Sequence, residues 1–216
     1  MLLRDDAYHR FKERLFAGAL QPGQFVSQRE LADLVGVSEG PMREALKRLE
    51  AEALVRLIPQ RGIQITDINV AFIRDAFGLR VALETAAVRN FVRVASDAEV
   101  DALDQCFQAL KQQIEQTRDP SLLDQALEAD IKLHYRFIDS MDNKLLAEVY
   151  RVNDDKVRLI RQNRRFTFDR VLPAIDEHAA IIRQIRGRNT AGAVAALERH
   201  LDISLRRSLG IEDPLP

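Results

Sequence analysis

The spacing of apolar residues changes early in the chain. After Asp67, apolar side chains recur at intervals of three and four residues, which is the period of an amphipathic helix. Before that point glycine and proline are crowded into the first 62 residues, so turns are frequent there. We therefore place a domain boundary at Thr66–Asp67, which gives one domain at 1–66 and a second at 67–216.

Six helices are predicted after this boundary. Their ranges are about 68–94, 97–118, 120–141, 143–164, 168–187 and 190–209. The prediction is a mostly α protein whose second domain is an all-helical antiparallel bundle.

The first domain begins with two predicted helices. Tyr8, Phe11 and Leu15 share one face of the first helix, which predicts that this face is buried. Ser27 and Glu30 then have the spacing of a capping box, in which the hydroxyl and the carboxylate each accept a hydrogen bond from an otherwise unsatisfied amide. A second helix is expected to begin there.

The rest of the first domain predicts a third helix and a β-hairpin. Gly36 can adopt the left-handed conformation that ends the second helix, and Ser38 can cap a third helix that tolerates Pro41 in its first turn. Two β-branched apolar runs follow at 55–58 and 63–66, separated by a proline and a glycine. Two short helices joined by a tight turn and followed by a hairpin predict a winged helix-turn-helix.

Composition and charge limit how this protein can contact nucleic acid and where in the cell it is expected. The 32 Lys and Arg against 33 Asp and Glu leave a net charge of -1, so a contact with nucleic acid has to come from a local patch. The single cysteine, the absence of an apolar stretch near the N-terminus and the absence of a long apolar run predict a cytoplasmic protein without a membrane span.

The first domain resembles the GntR family of bacterial transcription regulators. The residues that carry this resemblance are Pro22-Gly23, Arg29-Glu30-Leu31-Ala32, Gly36-Val37-Ser38, Pro41-Met42-Arg43-Glu44-Ala45-Leu46, Leu49 and Arg61-Gly62. The resemblance implies a winged helix-turn-helix whose third helix enters the major groove of operator DNA and whose hairpin tip approaches the minor groove.

The same resemblance assigns roles in DNA binding to single residues. Arg43 matches the arginine that reads a base, Arg29 matches a residue that contacts DNA near the backbone, and Arg61 with Gly62 matches the wing tip. Ser38 and Lys47 are further candidates for phosphate contacts.

Two residues depart from the family pattern, and one alternative remains open. Glu39 stands where many relatives carry a second arginine that contacts DNA, and Ala53 stands where a glycine commonly ends the third helix. A carboxylate at Glu39 repels phosphate but can accept a hydrogen bond from cytosine, which predicts an unusual operator. The alternative is that the basic residues of this helix only form solvated pairs with its glutamates.

Polar residues occupy the apolar faces of three helices in the second domain. Asp130 and His134 lie one turn apart on the first of these faces, His178 lies on the second, and His200 lies on the third. Burial of such groups is costly unless they are paired or bind a metal ion. Imidazole and carboxylate are ligands for a divalent metal, with zinc favoured and nickel or manganese as alternatives. Each histidine taken alone is more often a hydrogen-bonded core residue.

The second domain resembles the FCD ligand-binding domain of the FadR-type branch of the GntR family. Asp130 and His134, Glu177-His178 and His200-Leu201 match its metal-binding pattern, and Arg80, Leu83 and Glu84 match its first long helix. The helix count resembles the six-helix, VanR-like subgroup. The resemblance implies a metal ion beside a small organic acid effector, a homodimer, and repression of transcription.

Two further residues are candidates for effector binding. Arg80 can neutralise a carboxylate of the acid, or it can pair with Glu84 one helical turn away. Asn153 can line the effector pocket, or its amide can bond to the backbone.

The sequence therefore predicts a DNA-binding transcription regulator that responds to an organic acid at a metal site. A metalloenzyme that uses the same aspartate and three histidines is one alternative, and a regulator with a purely structural metal is another.

Overall fold

The computed structural model describes residues 3–162 and 167–211, and their secondary structure is mostly helical. The first elements are α1 (Leu3–Phe16), β1 (Phe25–Val26), α2 (Gln28–Val35), α3 (Glu39–Ala51), β2 (Val55–Ile58) and β3 (Gly62–Ile65). The helices that follow are α4 (Val70–Val94), α5 (Asp97–Thr117), α6 (Ser121–Asp139), α7 (Lys144–Gln162), α8 (Phe168–Arg186) and α9 (Thr190–Leu209). The predicted fold class is confirmed.

The six helices predicted after the boundary correspond to α4 through α9. Their ends agree closely with the predicted ranges because each helix has a continuous apolar face that is buried. The helix expected at 143–164 is described as far as Gln162, and residues 163–164 lie outside the described part of the chain. None of the helices in the described residues has an apolar stretch long enough to cross a lipid bilayer.

The described residues form two compact units. The first unit includes the chain up to Ala76 and the part of α7 from Val152 onward, and the second runs from Phe77 to Arg151 and resumes after residues 163–166. Each unit has its own apolar core, and Leu159 of α7 belongs to the core of the first. The domain boundary at Thr66–Asp67 stays a prediction, and the sequence pattern does not assign any part of α7 to the first unit.

The helix-turn-helix is formed as predicted. Tyr8, Phe11 and Leu15 of α1 are fully buried. Glu30 N donates to Ser27 Oγ over 3.2 Å, and Ser27 N donates to Glu30 Oε2 over 2.7 Å, so both halves of the capping box are present at the start of α2. Gly36 then ends α2 with a φ of 73°.

The beginning of α3 departs from the prediction at Ser38. This residue occupies the N-cap position, but its side chain makes no capping hydrogen bond. The usual donors for such a bond are the amides of the second and third helical residues, and here the third is Pro41, which has no N–H. The expectation that the Ser38 hydroxyl caps α3 is therefore wrong, although the helix begins where it was expected.

The hairpin belongs to a sheet of three antiparallel strands in the order β1-β3-β2. The sequence pattern predicts β2 and β3, and it misses β1 because two residues are too few to show an alternation. Gly62 at the hairpin has a φ of 93°, and a Cβ there would lie 2.9 Å from the carbonyl oxygen of Val26. Only glycine fits this close approach of β3 to β1.

The turn after α3 contains a residue in a strained conformation. Ala53 is exposed and has a φ of 60°. This left-handed backbone conformation is unfavourable for any residue with a Cβ. We expect Ala53→Gly to raise the free energy of unfolding by about 1 kcal/mol. Ala51→Gly, at the exposed last residue of α3, is expected to lower it by a smaller amount, about 0.5 kcal/mol, because there the added backbone freedom only favours the unfolded chain. Denaturant unfolding followed by circular dichroism measures both, and shifts of the same sign would contradict the argument.

Candidate metal centre and nucleic-acid interface

Three helices of the second unit bring the four predicted metal ligands together. Asp130 and His134 come from α6, His178 comes from α8 and His200 comes from α9. Each offers one ligand atom, and these four atoms all lie within 4.8 Å of one another. The sequence prediction that these side chains point to one place is therefore matched by the geometry.

The histidines of this cluster are buried, with 1% of His134, 1% of His178 and 4% of His200 exposed. Nε2 of all three rings makes no well-directed hydrogen bond to a described residue. An Asp130 carboxylate oxygen lies 3.1 Å from Nε2 of His178 and 3.7 Å from Nε2 of His134. Buried nitrogens that lack a well-directed hydrogen bond are costly, so their convergence beside a carboxylate is typical of a metal-binding site.

Two glutamates fix the orientation of two of the imidazole rings, those of His134 and His200. Glu84 Oε2 lies 2.5 Å from Nδ1 of His134, and Glu177 Oε2 lies 2.7 Å from Nδ1 of His200. A carboxylate on Nδ1 keeps the proton on that nitrogen and turns Nε2 toward the cluster. Tyr150 donates a hydrogen bond of 2.9 Å to the other oxygen of Glu84. Both glutamates lie in the family motifs that the sequence matches, and the motifs alone do not assign them this role.

The electrostatic environment favours the neutral form of two of the rings. Burial lowers the pKa of His178, and burial together with the neighbouring histidines lowers the pKa of His200 well below its ordinary value. Burial and Arg80 also lower the pKa of His134, but Glu84 and Asp130 outweigh them, so the net shift is upward. Neutral imidazole is the form that coordinates metal ions.

Arg80 lies in the same unit as the cluster and is 3% exposed. Its Nε donates to Glu84 Oε1 over 2.5 Å, so the intrahelical pair is formed. Its Nη1 is buried and makes no hydrogen bond to any residue that the structure describes. Burial raises the pKa of Glu84, but Arg80 and His134 lower it to about 2, so the glutamate is ionised.

The side-chain amide of Asn153 bonds to the backbone, which is the alternative to a place in the effector pocket. Its Nδ2 donates a hydrogen bond of 2.9 Å to the carbonyl oxygen of Ala76, and both residues belong to the first unit. A role in effector binding stays a prediction. A surface groove of about 310 Å³ between α5 and α8 contains none of the four cluster residues, and neither Arg80 nor Asn153 lines it.

The predicted DNA-reading residues lie on exposed parts of the first unit. Arg43 is exposed on α3 and Arg29 is exposed on α2, and neither forms a hydrogen bond or salt bridge with a described residue. Their guanidinium groups are therefore available to an external partner. Glu39 is engaged by Gln28, whose Nε2 donates to the Glu39 backbone oxygen over 3.2 Å and approaches its carboxylate at 3.4 Å.

The alternative of pairing on the helix surface holds for part of α3. Lys47 pairs with Glu44 at 2.8 Å, and both side chains are exposed. Arg48 instead pairs at 3.0 Å with Glu52, the buried C-cap of α3, so that pair is not a solvated one. Exposed pairs of this kind contribute little to stability, so Lys47 can exchange Glu44 for a phosphate at small cost. The exposed Ser38 hydroxyl, which does not cap α3, is also available.

At the wing tip, the guanidinium group of Arg61 packs against the ring of Phe25. The guanidinium carbon of Arg61 lies 4.5 Å from the centroid of the Phe25 ring, and both side chains are exposed. This cation–π contact orients the Arg61 side chain at the turn between β2 and β3, next to Gly62. Phe25, on the short strand β1, contributes to the wing tip, and the sequence pattern does not indicate this role.

A winged helix-turn-helix joined to a bundle of α-helices defines a class of protein, the two-domain transcription regulators that bind DNA. Comparison with known proteins identifies the family. Residues 3–65 match the gntR family of bacterial regulatory proteins, and residues 75–203 match the FCD domain. The chain belongs to the GntR family, with an N-terminal DNA-binding domain and a C-terminal FCD domain.

Individual relatives agree with this assignment. The chain is 24% identical to the HTH-type transcriptional regulator YdhC of Bacillus subtilis over 196 residues, which cover 90% of this chain and 86% of YdhC. It is 27% identical over 191 residues to the HTH-type transcriptional repressor RspR of Escherichia coli, covering 84% and 78% of the two chains. The structure of E. coli McbR/YncC has the same fold, with a TM-score of 0.75, 18% identity and coverage of 97% and 98%. Because the chain belongs to the GntR family, the protein is a transcription regulator.

Proposed function

We propose that this protein is a homodimeric repressor that binds an operator through α3 and the wing and responds to a small organic acid at a metal site. The observation that carries the sensing half is the cluster of three buried imidazoles and one carboxylate within 4.8 Å. The observation that carries the DNA half is the exposed Arg43 in the helix-turn-helix.

Operator reading is assigned to the N-terminal end of α3. Arg43 can form a bidentate contact with O6 and N7 of guanine in the major groove. Arg29, Ser38 and Lys47 supply phosphate contacts that set the register, and Arg61 with Gly62 approaches the minor groove. Operators of such regulators are read by two protein copies related by two-fold symmetry, which is the reason for proposing a homodimer.

The residues present fit a divalent metal ion. Nε2 of His134, His178 and His200 and the carboxylate of Asp130 would hold it, and Glu84 and Glu177 keep two of the rings in the binding orientation. Three nitrogens and one oxygen suit zinc, with nickel or manganese as alternatives. A metal that accepts more than four ligands supplies open positions for a carboxylate ligand.

Arg80 supplies the second anchor for an acid. Its Nη1 is buried without a hydrogen-bond partner among the described residues, and a carboxylate oxygen would satisfy it. An organic acid with two oxygen-bearing groups is therefore the effector class that the site favours. Regulation requires that this acid bind the DNA-competent and the DNA-incompetent states with different affinity, since equal affinity shifts no equilibrium.

The acid response is testable with Arg80→Lys. Lysine keeps the charge opposite Glu84 but lacks the forked donors of arginine, so the fold is retained and recognition of the acid is weakened. Operator DNA selected from a random library is titrated with the metal-loaded protein, and fluorescence anisotropy measures release by a panel of mono- and dicarboxylic acids. We expect at least one acid to release the wild-type protein from operator DNA. Release of the variant should need at least a tenfold higher concentration of that acid.

Two results would contradict this function. Release by chelator with no response to any acid would identify the metal as structural, and equal sensitivity of the two proteins to the acid would remove Arg80 from the effector site.

A further inference from the structure

A series of polar contacts in the first unit connects α7 to α1. Lys12 Nζ forms a salt bridge with Asp155 of α7, and the two side chains are 12% and 4% exposed. The same ammonium group donates to the hydroxyl oxygen of Tyr8 over 3.3 Å. Charged groups this far from solvent keep their positions only when they are paired, so the contact constrains α7 and α1.

The contacts continue from α1 to the C-terminal end of α3. The Tyr8 hydroxyl donates to Glu52 Oε2 over 2.6 Å, and Arg48 Nε donates to Glu52 Oε1 over 3.0 Å. The guanidinium carbon of Arg48 also lies 3.8 Å from the centroid of the Tyr8 ring. Glu52 is the C-cap of α3 and is 8% exposed. The end of the DNA-reading helix is thus held by α1.

Other contacts make the second half of α7 an integral part of the first unit. Leu159 is fully buried in the apolar core of this unit. Gln162 Nε2 donates to the carbonyl oxygen of Leu20 over 2.9 Å, and the guanidinium carbon of Arg158 lies 4.1 Å from the centroid of the Phe16 ring. All three α7 residues lie outside the segment 3–65 that matches the gntR family.

We propose that Asp155 is a positioning residue for operator recognition. Asp155, Lys12, Tyr8, Glu52 and Arg48 form what we call the α7–α3 network, and it fixes α1 against the end of α3. The N-terminal end of the same helix carries Arg43, so the direction of α3 decides whether Arg43 reaches its base. This inference rests on the proposed reading role of α3.

The charge change in Asp155→Asn allows a positioning role to be distinguished from a purely electrostatic effect. Asp155→Asn removes one negative charge, which by itself favours binding to phosphates of any sequence. A positioning role predicts the opposite result at the operator, because a misdirected α3 loses base contacts while nonspecific phosphate binding remains.

The experiment measures affinity for selected operator DNA and for random DNA, using the full chain and three variants. Asp155→Asn is the main variant. Tyr8→Phe removes only the hydroxyl and keeps the ring in the core. Asp75→Asn is the matched control, since Asp75 is an exposed residue of the same unit. Circular dichroism establishes which variants are folded at the assay temperature.

We expect Asp155→Asn to weaken operator binding at least tenfold while binding to random DNA is unchanged or tighter. Tyr8→Phe should lower the ratio of operator to random affinity in the same direction, and it decides the question if Asp155→Asn does not fold. Asp75→Asn should leave the ratio within twofold of wild type.

An unchanged ratio in the folded variants would overturn the proposal, and so would a ratio that falls equally in Asp75→Asn. Arg43→Ala, measured in parallel, separates this failure from failure of the proposed function. If Arg43→Ala loses operator binding while the network variants do not, only the positioning role is wrong.

Discussion

His200→Ala is expected to abolish stoichiometric binding of a divalent metal. Loss of a residue that only orients a ligand costs about 10- to 100-fold in metal affinity, so removal of a ligand should exceed about 100-fold. The metal-dependent rise in thermal stability should disappear with it, because a ligand stabilises only the state that binds it. Isothermal titration with zinc and elemental analysis after dialysis measure the loss.

His9→Ala is the matched control for this experiment. His9 is the remaining one of the chain's four histidines, lies exposed on α1, and is not part of the cluster. Its removal should leave one metal ion per chain. His200→Asn, which fills more of the site than alanine, guards against a simple loss of folding. Retention of metal by both His200 variants would contradict the assignment of His200 as a ligand.

Arg43→Ala is expected to weaken operator binding by about 1–3 kcal/mol, which is about 5- to 150-fold. The loss should be confined to the base pair that Arg43 reads, so the variant should discriminate poorly at that position of the operator. Anisotropy titrations with operators substituted one base pair at a time measure both effects.

Two other variants make the Arg43 result interpretable. Arg93→Ala removes the same charge from an exposed position on α4 in the second unit and should have little effect. Lys47→Ala should weaken binding to all sequences alike and reduce the salt dependence, as expected for a phosphate contact. Undiminished affinity and specificity in Arg43→Ala would remove the base-reading role.

The helices were predictable because each has one face that must be buried. The apolar faces of α4 through α9 give both the existence and the approximate ends of these helices. The capping box at Ser27 and the glycine at Gly36 similarly mark the ends of α2. The strand β1 was not predictable, because its two residues pair with β3 through backbone hydrogen bonds that leave little trace in side-chain pattern.

The ligand cluster was predictable for a different reason. Histidines and an aspartate on apolar faces are costly unless they meet a partner, and three such faces in one bundle indicate a common site. The roles of Glu84 and Glu177 depend on which ring nitrogen each carboxylate meets, and this follows only from the packing of the helices. Pro41 has no amide hydrogen, so the sequence already shows that one of the two usual donors to a Ser38 cap is missing.

The α7–α3 network was also beyond the sequence pattern. An aspartate such as Asp155 on a long amphipathic helix is usually a solvated surface residue. Here it is buried because the second half of α7 packs in the first unit, and its partner Lys12 is 143 residues away in the chain. Ion pairs of this kind follow from tertiary packing and not from local spacing.

Anomalous X-ray diffraction from crystals of the protein grown with a divalent metal tests the central claim most directly. We expect one strong peak per chain, with Nε2 of His134, His178 and His200 at about 2.0–2.1 Å if the ion is zinc, and with an Asp130 oxygen as a further ligand. A metal-loaded crystal whose anomalous peaks all lie away from these four side chains would contradict the account.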